Sequence, residues 1–147
     1  MGATGGTESN GTIALTGATY TIVQNCAITP SVSSGIALYV TDHCQLLNNS
    51  IITADGSYSG QSDCIWLGGD DTPGRYTSNC TVSGNYLEQR NDNGTYHCDL
   101  IQLYATDDVT ICYNYGWQNN TATGGNMNGM PMQSIYGDLA IYGNLIS

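Results

Sequence analysis

The chain has 147 residues, the length of one domain, and sets 12 carboxylates against two basic residues, Arg75 and Arg90, for a formal net charge of −10. That balance excludes nucleic acid as a partner, because phosphate binding needs clustered Lys and Arg. It also disfavours a polyanionic glycan unless a cation bridges the like charges, and no apolar run reaches the length of a membrane-spanning helix.

Residues 1–12, opening Met1-Gly-Ala-Thr-Gly-Gly, lack a basic and apolar signal segment and read as a flexible leader or first cap. From residue 13 to 147 a single domain is expected, built from two alternating motifs. The first is Ile-x-Leu, and the second is apolar-x-aliphatic-x-x-Asn-x-(small or aliphatic). Ile13-Ala-Leu15 precedes Tyr20-Thr-Ile22-Val-Gln-Asn25-Cys-Ala27, and Ile36-Ala-Leu38 precedes Cys44-Gln-Leu46-Leu-Asn-Asn49-Ser-Ile51. Next, Ile65-Trp-Leu67 leads to Cys80-Thr-Val82-Ser-Gly-Asn85-Tyr-Leu87, and Ile101-Gln-Leu103 to Val109-Thr-Ile111-Cys-Tyr-Asn114-Tyr-Gly116. A degraded copy, Ile135-Tyr-Gly137, precedes Leu139-Ala-Ile141-Tyr-Gly-Asn144-Leu-Ile146.

The anchoring asparagines are 24, 36, 29 and 30 residues apart. Period-2 alternation that returns at such intervals predicts a β-solenoid of about five coils with two strands each. Stacking would then align like residues in columns about 4.8 Å apart. Cys98-Asp-Leu-Ile-Gln-Leu, Asp108-Val-Thr-Ile-Cys-Tyr-Asn114 and Cys44-Gln-Leu-Leu-Asn-Asn-Ser-Ile51 resemble repeats of the pectate-lyase-like superfamily. The resemblance runs from Ile13 onward and implies an all-β, right-handed parallel β-helix. That superfamily holds lyases, hydrolases, epimerases, phage spikes and adhesins, so the resemblance implies no single chemistry.

The columns nominate residues. Asn25, Asn49, Asn85, Asn114 and Asn144 form a structural ladder, since stacked amides bond one another and the turn backbone. Cys44 with Cys80 and Cys64 with Cys98 are the pairs suited to disulfides, with a buried thiol stack as the competing reading. Five sequons, at Asn10, Asn48, Asn79, Asn93 and Asn119, fit an extracellular or surface glycoprotein.

Asp63 and Asp99, each two residues before a strand isoleucine, share a register and suit acid and base work on a glycosidic bond. Arg90 and His97 lie on the approach to Asp99. Asp70, Asp71 and Asp107 are the candidate calcium ligands, although no cofactor is required. The outward positions Trp66, Tyr136, Tyr39 and Tyr104, with Gln102 beside them, would form an aromatic platform for sugar rings unless loops cover it. The Gly/Asn-rich segment 117–132 is a candidate lid or contact arm.

Two functions follow as expectations. The chain binds a neutral polysaccharide and processes it by hydrolase or lyase chemistry, or it is a non-catalytic structural or adhesive module. In the second case the open edges of the terminal coils pair copies end to end into a spike or filament.

Overall fold

The computed structural model describes residues 11–30, 34–53, 62–90, 98–118 and 129–147. His97, Asn10, Asn93, Asn119 and most of the 117–132 segment lie outside the described residues. Within them the protein is all-β, with 14 strands and no helix. Every strand pairing is parallel, so each strand is joined to its equivalent one repeat away. No helix long and apolar enough to cross a membrane occurs among the described residues.

The repeats are segmented differently from the expected two strands each, with three strands in the first and second repeats and four in the third. The first repeat holds β1 (Gly11–Thr16), β2 (Ile22–Gln24) and β3 (Ala27–Ile28). The second holds β4 (Ser34–Tyr39), β5 (Gln45–Leu47) and β6 (Ser50–Ile52). The third holds β7 (Asp63–Gly68), β8 (Thr77–Ser78), β9 (Thr81–Ser83) and β10 (Tyr86–Gln89). In the fourth and fifth, β11 (Ile101–Cys112) and β13 (Met132–Tyr142) run through the first two segments, followed by β12 (Tyr115–Gln118) and β14 (Leu145–Ile146). The asparagine frame is therefore two strands that meet at the asparagine. The strands before it join the large sheet, β1-β4-β7-β11-β9-β5-β2 with β8 and β13 on β11. The strands after it form a separate sheet, β14-β12-β10-β6-β3.

The corners explain the segmentation. Single residues in the left-handed region recur in matching places: Gly17, Val40, Ala105 and Ser134; Tyr20, His43, Asn79, Asp108 and Gly137; Asn25, Asn48, Gly84, Tyr113 and Gly143. One such residue turns a strand sharply without a loop, at a cost that Gly and Asn bear best. Val40 is the strained member, since its branched Cβ disfavours φ near its value of 52°.

This register corrects two alignments. Val23 pairs with Leu46, so Asn25 falls in the left-handed corner beside Asn48, and Cys26 takes the ladder position. Ile22 is accordingly exposed while Val23 is buried. In the fifth repeat Leu103 pairs with Met132 and Ile135 with Thr106, so the Ile-x-Leu place is filled by Met130 and Met132.

Inward columns build one core. Ile36, Ile65 and Ile101 stack, as do Leu38, Leu67 and Leu103, and Leu46, Val82 and Ile111. Each fully buried aliphatic side chain contributes roughly 1.5–3 kcal/mol. Thr41, Thr77 and Thr106 form a buried polar column between them, with the Thr41 N–H donating to Thr77 Oγ1 at 3.3 Å.

Candidate functional site

Asp63 and Asp99 do stand on adjacent rungs. Ser34 pairs with Asp63, and the backbone N–H of Asp99 donates to Asp63 Oδ1 at 2.9 Å. Both side chains are buried, however, at 1% and 0% exposure. Around them Gln89 Nε2 donates to the Ser62 carbonyl and, at 3.3 Å, to that of Asp99. A general acid must reach a glycosidic oxygen, and this pair is closed off from any polymer. Arg90 is engaged elsewhere, its Nε donating to Glu88 Oε1 at 2.7 Å. The acid/base assignment is therefore corrected: the pair is an interior polar seam.

The expected aromatic platform is corrected as well. Trp66 is buried at 3% exposure. Its ring lies over Gly68, where a Cβ would meet Trp66 Cη2 at 2.0 Å, and Tyr39 stacks beside it at 6.2 Å. Gln102 pairs with Trp66, and Tyr104 pairs with Gly68, so these two keep their places. Tyr136 does not: it pairs with Asp107, away from the Trp66 column, and stacks on Tyr76 at 4.3 Å.

The proposed calcium ligands are dispersed among other partners. Asp70 accepts from Tyr39 Oη and Arg75 Nε, and Asp71 accepts from Tyr136 Oη. The bonds from Tyr39 and then Arg75 hold the Asp70 carboxyl below the usual range. Asp107 sits beside Ser78, which in turn pairs with Asp42, so Asp71 does not stack on Asp107. Among the described residues no three His, Cys, Asp or Glu side chains gather around a point.

All six cysteines are free thiols. Cys44 and Cys80 lie on neighbouring rungs, since Gln45 pairs with Thr81. Their sulfurs turn to different partners: Cys44 Sγ to the Ala18 carbonyl at 3.6 Å and Cys80 Sγ to the Ser78 carbonyl at 3.0 Å. Cys64 lies level with Leu100 rather than Cys98, so that expected pair is two residues out of register.

The outer face of the five-stranded sheet carries a group that the sequence reading passed over. Tyr86 pairs with Tyr115 and Glu88 with Trp117. The two tyrosine rings stack with centroids 5.4 Å apart and planes 12° apart, and both stay exposed, at 38% and 39%. That separation implies an offset stack, which leaves part of each ring face open. Tyr86 Oη donates to Glu88 Oε2 at 3.0 Å, and Arg90 closes the chain on the other carboxylate oxygen. The Arg90 bond lowers the Glu88 carboxyl below its ordinary value, and the Glu88 bond raises the Tyr86 phenol. The signal was present: Tyr86 and Tyr115 each directly follow a ladder asparagine, in a place that the frame treats as unconstrained.

Of the sequon asparagines, Asn48 and Asn79 are exposed at left-handed corners, and Asn79 Nδ2 donates to Asp42 Oδ1 at 2.8 Å. No family model, curated protein or solved structure matches the chain.

Proposed function

We propose that the chain is a right-handed parallel β-helix that binds a neutral polysaccharide along the outer face of β10 and β12, at the cell or virion surface. The observation that carries this reading is the exposed Tyr86–Tyr115 stack with Trp117 beside it. Solvent-facing aromatic rings on a parallel sheet offer apolar faces to sugar rings, and their polar edges meet hydroxyls. The charges of Glu88 and Arg90 offset each other locally, so the face lacks the acidic character of the chain as a whole. That favours an uncharged glycan over a polyanion. In this reading the protein holds its ligand without cleaving it and needs no metal.

Affinity electrophoresis against a panel of neutral and acidic polysaccharides tests the reading. At least one neutral polymer should retard the protein. The double variant Tyr86→Ala/Tyr115→Ala should lose most of that retardation while its melting temperature stays close to that of the parent. Undiminished retardation in the double variant, or retardation by acidic polymers alone, overturns the assignment.

A further inference from the structure

The same columns that are closed inside the molecule are open at its last repeat. Leu46, Val82 and Ile111 are fully buried, yet Ile141, next in that column, is 38% exposed. Leu87 is fully buried, and Ile146 at the end of its column is 39% exposed. Among the described residues, β13 and β14 have strands on one side only, as do β1, β2 and β3 at the other end. Among the described residues, both ends thus present an outer sheet edge in the same parallel sense. Neither end is defended in the usual way. Residues 11–30 contain no charged side chain, residues 129–147 contain one, Asp138, and none of these five strands contains proline. Edge strands are ordinarily blunted by charge or proline. In a chain of net charge −10, the carboxylates are concentrated away from the two faces where another copy could approach without repulsion.

We propose that these two ends are docking surfaces for each other: β1–β3 of one copy add in parallel register to β13–β14 of the next. The interface is head-to-tail, and every assembly keeps one free head and one free tail, so growth is open-ended. Each face comprises one repeat, 20 residues at one end and 19 at the other. That falls near the lower bound of the roughly 20–30 residues per side of a stable interface. The three corner columns continue across the joint, since both terminal repeats carry left-handed residues in all three places.

One column is imperfect, and it supplies the sharpest test. Along the ladder, each asparagine donates its N–H and Nδ2 to the Oδ1 of the asparagine in the next repeat, as Asn114 does to Asn144 at 2.9 Å. It also donates Nδ2 to a carbonyl of the preceding repeat, as Asn144 does to Ile111. Across the joint the N–H of Asn144 would meet Cys26, whose thiol is a weak acceptor. In Cys26→Asn the new amide accepts from Asn144 of the neighbouring copy and donates to its Ile141 carbonyl.

Sedimentation velocity over a concentration series on the full chain reads the outcome. The parent should form an open-ended series of species, and Cys26→Asn should tighten association by about tenfold, the worth of one or two added hydrogen bonds. Ile13→Glu and Ile146→Glu should each be monomeric alone, while their mixture yields dimers and nothing larger, because each retains one intact end. A parent that stays monomeric at its highest soluble concentration overturns the proposal. So does undiminished association of Ile13→Glu, which would indicate tail-to-tail pairing. The Cys26→Asn comparison stands even if either glutamate variant fails to fold, and a Cys26→Asn chain that associates no more tightly than the parent counts against the register.

Discussion

Asn85 Nδ2 and the Asn85 backbone N–H both donate to one oxygen, Asn114 Oδ1, at 2.8 and 2.9 Å. Asn85 Oδ1 in turn accepts the same two bonds from Asn49, and its Nδ2 also reaches the Leu46 carbonyl at 3.0 Å. The amide thus ties three successive repeats together, satisfying main-chain groups of the preceding repeat and the Asn114 side chain of the next, all removed from water.

Asn85→Ala therefore strips partners from the Asn49 N–H, the Asn49 amide and the Leu46 carbonyl together. Leaving a buried polar group unmet costs about 1–3 kcal/mol, so the variant should lose on the order of 3 kcal/mol. Asn144→Ala should lose less, because Asn144 is only partly buried and accepts at the open end of the ladder. Urea denaturation of both variants measures the difference. Equal losses would mean that the ladder carries no cooperative load.

The ladder was readable because Asn49, Asn85, Asn114 and Asn144 share an apolar frame that only one register satisfies. Asn25 was not, and the reason is physical. Ile22 and Val23 are both β-branched and either can face inward, while Asn25 suits a left-handed corner as well as a ladder site. The Asp63–Asp99 register was legible from their common offset to Ile65 and Ile101. Their burial was not. Cys64 and Ile65 both join the core, as do Leu100 and Ile101, so alternation fails just where it would say which way the aspartates face. The Trp66 burial depends on an indole folding over the bare Gly68 backbone, a three-dimensional fit with no signature in period-2 counting.

Tyr136 offers a test of the contact between β13 and the 69–76 segment. Its phenol is pushed up to about 12, first by the hydrogen bond to Asp71 and then by burial. A raised value means that the neutral phenol is favoured in the folded state, so the contact is intact below the ordinary tyrosine value of 10.0 and is lost as pH rises through about 12. Spectrophotometric titration should show Tyr136 among the late-ionising tyrosines, and Asp71→Asn should bring it back toward its ordinary range. A titration curve unaltered by that substitution would mean that the Asp71 contact does not form in solution.

Thiol chemistry gives the last prediction. Burial pushes the Cys80 and Cys98 thiols up to about 11 and Cys64 well above its ordinary value, with the Asp63 charge adding to the rise at Cys64. The thiolate is the reactive form, so these three should be nearly inert to iodoacetamide at neutral pH. Cys26 differs: it is the sole cysteine that is not fully buried, at the first ladder position, with its Sγ directed at the Gln24 carbonyl at 3.3 Å. Intact mass spectrometry over time should show one early adduct, mapped to Cys26 by peptide analysis, and further adducts only after denaturant is added. If the molecule associates end to end, Cys26 lies within the joint, and its labelling should slow as protein concentration rises. Early labelling of Cys64 or Cys80 would instead mean that the repeats open far more readily than their closed core columns imply.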